Sequence, residues 1–147
     1  MPYMRVHSPP LSAELKQRVA HELTERVVRL MSRPGTPGAT PEELRSHCTV
    51  HITEWQPEDF AIGGVMLGGS QVDYTLEFSD WGLGVRRQRR LARELTEVLA
   101  KLFSAQDRLD QINIRFHPYP PKDFSVGGIL LADRIPWIAR IAKRLGS

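Results

Sequence analysis

The residue with the clearest chemical potential is Pro2, which follows the initiator Met1. A small second residue normally allows the initiator methionine to be removed, and removal here would leave the secondary amine of Pro2 as the chain terminus. Such an amine can act as a nucleophile or as a general base and acid beside a carbonyl group. Because a terminal amine in water has a pKa of about 7.7–8.0, we expect burial and a nearby arginine to lower the pKa of Pro2.

Several downstream side chains could hold a small acid against that amine. Arg86 and Arg87 lie in the first turn of a predicted helix, where backbone N–H groups also favour an anion. Arg115 and Asn113 are two residues apart on a predicted strand, so both side chains leave the same face. Aromatic rings could supply an apolar wall. The candidate site is Pro2 as the catalytic group, with Arg115, Arg87, Arg86, Asn113, Phe124 and Trp55 as substrate-binding groups.

The composition predicts one compact globular domain, since 41% of the 147 residues are hydrophobic and the net charge is only +3. The single cysteine, Cys48, excludes an internal disulfide framework, and no cysteine spacing typical of a metal site occurs. The chain opens without a signal-peptide pattern and has no apolar run near the ~20 residues of a membrane span. We therefore expect a cytoplasmic protein that does not contact a membrane.

The chain contains an internal repeat. Glu22–Glu25 recurs as Glu94–Glu97 with a shift of 72 residues (94 − 22), and Pro57–Gly64 recurs as Pro121–Gly128 with a shift of 64 (121 − 57). The difference of eight residues predicts an insertion in the first copy, at Pro34–Pro41, where three prolines and two glycines favour an exposed loop. The predicted units are residues 1–70 and 71–134, followed by a helical tail over residues 135–147.

Each unit reads as strand, helix, strand. The predicted strands are Pro2–His7, Cys48–Trp55, Tyr74–Phe78 and Gln111–Phe116. The helix of the first unit carries an apolar stripe from Leu15 to Leu30 with Ser12 as its N-cap, and that of the second carries one from Leu91 to Leu102. Two such units predict an α/β (α+β) fold, with a four-stranded sheet and both helices on one face. We expect aliphatic residues on the other face, and therefore an oligomer packed sheet against sheet.

Three features together resemble the tautomerase superfamily: the proline after Met1, β-α-β units of this length, and the turns Asp59-Phe60-Ala61-Ile62-Gly63-Gly64 and Asp123-Phe124-Ser125-Val126-Gly127-Gly128. The repeat resembles a fused, double-length 4-oxalocrotonate tautomerase, with some similarity to the cis-3-chloroacrylic acid dehalogenase and malonate semialdehyde decarboxylase branches. The resemblance implies a homotrimer, no metal or organic cofactor, a catalytic amino-terminal proline, and a small keto or unsaturated carboxylic acid as substrate.

The sequence also departs from that family. The 4-oxalocrotonate type carries one substrate-binding arginine in the loop before the helix and another on the strand after it. In the two units of this chain, the loop position is held by Leu11 and Leu83, and the strand position by Thr49 and Asn113. The two arginines that the other branches carry around the loop of the second unit are absent as well, and Asp80, Trp81 and Leu83 stand there.

Three other functions stay open on the sequence. A protonated Pro2 would suit a hydratase or dehalogenase, and loss of the arginines would suit a non-catalytic oligomeric binding protein. Nucleic acid bound through the run Arg86–Arg93 is disfavoured by the low net charge and the lack of interleaved aromatic residues. Because Tyr74 stands where Pro2 stands in the first copy, one competent site per chain is expected.

Overall fold

The computed structural model describes residues 1–36, 39–68 and 71–134. Its elements are β1 (Tyr3–Ser8), α1 (Ala13–Met31), α2 (Pro41–His47), β2 (Thr49–Glu54), β3 (Ala61–Ile62), β4 (Val65–Met66), β5 (Tyr74–Asp80), α3 (Val85–Leu102), β6 (Ile112–Pro118), β7 (Ser125–Val126), β8 (Ile129–Leu130) and α4 (Leu131–Arg134). The predicted helical tail over residues 135–147 lies outside the described residues, and the boundary between the units at residue 70 stays a prediction.

The four long strands form one sheet in the order β2-β1-β5-β6. Within each unit the strands are parallel, and the first strands of the two units are antiparallel, with Met4 opposite Phe78 and Val6 opposite Leu76. The predicted pair of β-α-β units is therefore confirmed. The antiparallel pairing also brings the beginning of β1 next to the end of β5, although the two segments are far apart in the sequence.

Both long helices pack on the same face of this sheet. Helix α1 begins at the predicted cap, since the Leu15 N–H donates to Ser12 Oγ at 3.1 Å. Arg26 of α1 and Glu94 of α3 form an ion pair of 2.7 Å that links the two helices. The side chains of the core beneath them include Met4, Val6, Val19, Leu23, Val27, Leu76, Phe78, Leu91, Leu95, Val98 and Leu99.

The opposite face of the sheet is polar, and the prediction of an aliphatic open face was wrong. Arg5 and His7 of β1 lie on this face, where Arg5 Nη1 is 3.7 Å and His7 Nε2 is 3.4 Å from the carboxylate of Glu77 on β5. The reason is the two-residue period of a strand. Met4 and Val6 mark only one face, and that face is the one that the helices bury.

The connection between α1 and β2 contains a short helix that the sequence analysis missed. Residues 32–48 are eight residues longer than their counterpart, residues 103–111 (17 − 9), and they include the segment interpreted as an insertion. Helix α2 begins with a capping box, in which Thr40 Oγ1 accepts from the Glu43 N–H at 3.3 Å and the Glu43 carboxylate accepts from the Thr40 N–H at 3.1 Å. Proline at its first position was the overlooked start signal.

Each unit ends in a small β-hairpin, β3-β4 in the first and β7-β8 in the second. The turns are the glycine pairs 63–64 and 127–128, whose φ angles lie between 59° and 80°. Two successive positive φ angles are typical of a tight hairpin turn and are readily adopted by glycine. The hairpins expose apolar side chains, with Ile62 56%, Val65 69% and Ile129 50% accessible.

Candidate active site

The chain terminus lies beside a buried carboxylate. Pro2 is buried at the start of β1, and its carbonyl accepts a hydrogen bond from the Thr49 N–H at 3.0 Å. The ammonium group of Met1 lies 2.6 Å from Oδ1 of Asp80, the last residue of β5. Because Asp80 is only 3% exposed, its charge has little access to water and depends on neighbouring groups for stabilisation.

Tyr119, directly after β6, completes the contact with the terminus. The Met1 ammonium donates to the Tyr119 hydroxyl at 3.2 Å, and that hydroxyl lies 3.2 Å from the Met1 carbonyl, to which it can donate. The Tyr119 N–H also donates to the Asp80 carbonyl at 3.2 Å. Burial, assisted by the charge of Asp80, raises the pKa of Tyr119 to about 12. The phenol therefore stays neutral at physiological pH and retains its proton as a hydrogen-bond donor.

Two further groups border Asp80. The Trp81 N–H donates to the same Oδ1 at 2.8 Å. Burial raises the pKa of the Cys48 thiol to about 11, with a smaller increase from the charge of Asp80 and a small decrease from the terminal ammonium. Cys48 is therefore a neutral thiol rather than a nucleophile at physiological pH. The sequence predicts arginines around the amine, whereas the structure places a carboxylate, a phenol and a thiol there.

Three of the predicted binding residues lie at this end of the sheet. The ring of Phe124 packs against that of Tyr119, with 5.4 Å between the centroids. Arg87 Nη1 donates to the carbonyl of Gly82 at 3.1 Å, which holds this side chain at the turn that follows Asp80. Arg86 is exposed in the same helical turn.

Trp55 lies at the other end of β1 from Pro2. Its backbone N–H donates to the carbonyl of Ser8, the last residue of that strand, at 2.9 Å. At about 3.3 Å per residue, this places it roughly 20 Å from the start of the strand. Within one chain, the structure does not bring Trp55 and Pro2 together.

Asn113 and Arg115 are also remote from Pro2 in a single chain. Asn113 pairs in register with Thr75 near the start of β5, and its Nδ2 donates to the carboxylate of Asp73 at 2.6 Å. Arg115 pairs in register with Glu77 and projects from the polar face of the sheet, where it is exposed. These two residues therefore belong to the other end and to the open face of the sheet.

The repeat places a second set of residues at the Trp55 end, and their chemistry differs. Shifts of 72 and 64 residues relate Ser8 to Asp80 and Trp55 to Tyr119 (80 − 8 and 119 − 55). Ser8 is buried and its hydroxyl donates to the carbonyl of Pro9 at 2.9 Å, so the position of Asp80 holds no carboxylate in this copy. A position-by-position comparison of the two copies would have shown that Asp80 and Tyr119 differ from their counterparts, Ser8 and Trp55.

The counterpart of Pro2 at that end is Tyr74, whose nitrogen is an ordinary amide within the chain. Its ring stacks on that of Phe103, with 4.1 Å between centroids and 7° between the planes. An aromatic side chain thus fills the position that corresponds to the chain terminus.

Other parts of the described residues offer less. Residues 1–36, 39–68 and 71–134 contain no cluster of three His, Cys, Asp or Glu side chains that could hold a metal ion. None of the helices in those ranges is both long and apolar enough to span a bilayer. A groove of about 620 Å³ follows α3 and is lined by residues such as Ala92, Thr96 and Leu109, but by none of the groups around Met1 and Asp80.

No protein-family model and no curated protein matches this sequence. Solved structures do match. A wild-type fused 4-OT described as an asymmetric trimer is 17% identical with a TM-score of 0.73, over 90% of this chain and 98% of that one. Pt0534 inactivated by 2-oxo-3-pentynoate is 16% identical with a TM-score of 0.70, over 90% and 98%. A member of the cis-3-chloroacrylic acid dehalogenase family is 15% identical with a TM-score of 0.68, over 93% and 90%. The chain therefore has the fold of the tautomerase superfamily, in the fused, two-unit form that the internal repeat predicts.

Proposed function

We propose that the protein is a cofactor-independent enzyme of the tautomerase type, in which Pro2 becomes the catalytic acid and base once Met1 is removed. The observation that carries the proposal is the buried carboxylate of Asp80, 2.6 Å from the terminal ammonium, in a chain with this fold. An amine fixed beside an acidic group can give and take protons at a substrate without any cofactor.

The substrate class that suits such a site is a small keto or unsaturated carboxylic acid. Proton transfer next to a carbonyl needs only correctly placed acid and base groups. The similar structure Pt0534 is inactivated by 2-oxo-3-pentynoate, which is a compound of this class. Arg86 and Arg87 are two of the cations at the Pro2 end, and either could hold the carboxylate of the substrate.

The remaining predicted binding residues would reach a Pro2 only across an interface between chains. Trp55, Asn113 and Arg115 lie at the far end or on the open face of their own sheet. We propose that a homotrimer completes the site. Two observations favour association: the hairpins expose Ile62, Val65 and related side chains, and fused 4-OT structures with this fold are described as trimers.

A charge on each hairpin should convert the oligomer to a monomer. The double variant Val65→Asp/Ile129→Asp places carboxylates where apolar side chains that are 69% and 50% exposed would pack in the assembly. The expected result is a mass of one chain by sedimentation equilibrium. The matched control is Val85→Asp, at a position 60% exposed at the start of α3, which should keep the mass of the wild type. A wild-type protein that sediments as a monomer would refute the trimer.

A second candidate function is a non-catalytic binding protein that retains this fold. The specific observation in its favour is that the family's loop arginine is replaced by Leu83, which is only 6% exposed and belongs to the hydrophobic core. A leucine used in this way cannot contact a carboxylate. The two functions differ in whether a free Pro2 amine is required.

Blocking the terminus tests the proposal directly. A glycine-serine extension ahead of Pro2 turns its nitrogen into an amide, so ketonisation of phenylenolpyruvate should fall to the uncatalysed rate. The same extension placed after Ser147 is the control and should leave the rate unchanged. Intact mass should show that the active protein lacks Met1. Equal activity with a blocked and a free Pro2, or with Met1 retained, would exclude Pro2 as the catalytic group.

A further inference from the structure

We infer that Asp80, assisted by Tyr119, is a positioning residue that holds the mature Pro2 amine in its protonated form, so that the first proton transfer runs from Pro2 to the substrate. This inference rests on the proposed function and specifies its direction. The sequence alone favours the opposite order, in which arginines keep the amine neutral and Pro2 begins as a base.

The first argument is the fate of a buried carboxylate when Met1 is lost. Asp80 is 3% exposed, and its partner in the full-length chain is the Met1 ammonium at 2.6 Å. Removal of that residue takes away the cation, and an unpaired carboxylate in such a place is costly. Consecutive backbone nitrogens are at most ~3.7 Å apart, so the Pro2 nitrogen lies within about 6 Å of Oδ1. The new terminus therefore lies close enough to take the place of the lost ammonium.

The second argument is that loss of Met1 leaves hydrogen-bonding groups without partners, and this cation could bind them. Of the donors around Oδ1, the Trp81 N–H at 2.8 Å remains after Met1 is removed. The Tyr119 hydroxyl loses both of its Met1 partners, the ammonium and the carbonyl. A protonated secondary amine carries two N–H groups, which can be shared between the carboxylate of Asp80 and the oxygen of Tyr119.

The third argument comes from the other end of the sheet. There the position of Asp80 is occupied by Ser8, which satisfies its hydroxyl with the carbonyl of Pro9, and the nitrogen of Tyr74 is an amide. At these two matching positions, the carboxylate thus occurs in the copy that carries a titratable terminus and not in the copy that lacks one. The buried carboxylate at the other end, Asp73, stands instead at the position that corresponds to Met1 and accepts from Asn113 at 2.6 Å.

Within one chain, the charged and titratable groups around this corner come from several elements. Asp80 comes from β5, Tyr119 follows β6, and Cys48 precedes β2. Helix α1 contributes Glu25, whose charge slightly raises the pKa of Cys48 and which forms an ion pair of 2.7 Å with Arg45. The Arg87 guanidinium is directed to the Gly82 carbonyl rather than to the carboxylate.

Proton donation by Pro2 balances without any co-reactant. With phenylenolpyruvate as the probe, one N–H proton of the ammonium passes to the alkene carbon next to the carbon that bears the hydroxyl, and the electron pair of the carbon–carbon double bond forms the new C–H bond. The enol oxygen becomes the ketone oxygen and releases its proton to water. Water returns a proton to the Pro2 nitrogen. The same order applied to an unsaturated acid would begin a hydration, which is the alternative that the sequence left open.

A titration of the amine that does not depend on turnover tests the inference. Protein labelled with ¹⁵N-proline and free of Met1 is followed by NMR against pH, with the peptide Pro-Tyr-Met as the reference. We expect the midpoint for Pro2 to lie above that of the peptide, and Asp80→Asn to lower it by at least one pH unit, a tenfold change in proton affinity. Tyr119→Phe should lower it by a smaller amount. Should Asp80→Asn not fold, Asp80→Ser introduces the residue that the other copy uses.

The control is Asp107→Asn, which neutralises an aspartate whose side chain is 83% exposed, in the segment after α3, and which should leave the Pro2 midpoint unchanged. A wild-type midpoint below that of the peptide, or equal shifts in the Asp80 and Asp107 variants, would overturn the inference. If that result were obtained while activity still required a free Pro2 amine, the inference would fail and the proposed function would stand. If the midpoints were as expected but activity did not depend on Pro2, the proposed function alone would fail.

Discussion

Replacing Pro2 by alanine should lower kcat/KM for phenylenolpyruvate by roughly 10²–10⁴-fold, which is the range that a positioned acid or base contributes. Alanine still leaves a terminal amine after Met1 is removed, but that amine lacks the ring that fixes its backbone angle. Its N–H groups are therefore less well directed to Asp80 and to the substrate. The measurement is the initial rate of ketonisation at saturating and limiting substrate, on protein shown by intact mass to lack Met1.

The matched control for this variant is Pro10→Ala, since Pro10 is an exposed proline in the turn after β1. It should retain the wild-type rate. If Pro2→Ala kept full activity, the chemistry would have to be assigned to another group of the chain. If both variants lost activity equally, the loss would report on folding, which circular dichroism of the two proteins would reveal.

Replacing Phe78 by alanine should lower the free energy of unfolding by about 3–5 kcal/mol, a large share of the ~5–15 kcal/mol that such a domain has in total. Phe78 is fully buried in the centre of the sheet, opposite Met4 on β1, and its ring centroid lies 6.1 Å from that of Phe116. The truncation would leave a cavity beneath both helices. Urea unfolding at one fixed protein concentration measures the change, because association contributes to the apparent stability.

Val85→Ala serves as the comparison for Phe78→Ala, since Val85 is 60% exposed and its truncation should change the free energy of unfolding by no more than about 0.5 kcal/mol. A loss below about 1 kcal/mol for Phe78→Ala would contradict a core centred on this residue.

The fold could be predicted from the sequence because its signals are local or repeated. Leu15, Val19 and Leu23 recur at helical spacing, Met4 and Val6 alternate, and the duplicated turns align the two units. Helix α2 was missed because its start signal, Thr40 followed by proline and two glutamates, was interpreted as the end of a proline-rich loop. The polar open face was missed because only the apolar side of each strand was read.

The site was harder to predict because it depends on contacts between distant segments. Met1 and Asp80 are 79 residues apart and meet only because β1 and β5 pair in antiparallel register. Local patterns do not report that register. For the same reason, the sequence did not reveal that Trp55 and Asn113, which were chosen by residue type, lie at the far end of the sheet from Pro2. The hypothesis that Pro2 is catalytic could be drawn from the sequence because the chemistry of a terminal amine depends on its position in the chain.

The stacking of Tyr74 on Phe103 has a consequence for how the duplicated chain could diverge. Joining two copies head to tail leaves one of them without a terminus of its own, and an amide nitrogen cannot take over acid–base duties. At that corner a ring occupies the place of the terminus, and a serine stands where its twin has an acid. Cutting the chain before Tyr74 and joining residue 147 to residue 1 would move the terminus there without restoring reactivity, since Ser8 rather than an aspartate stands at the position of Asp80.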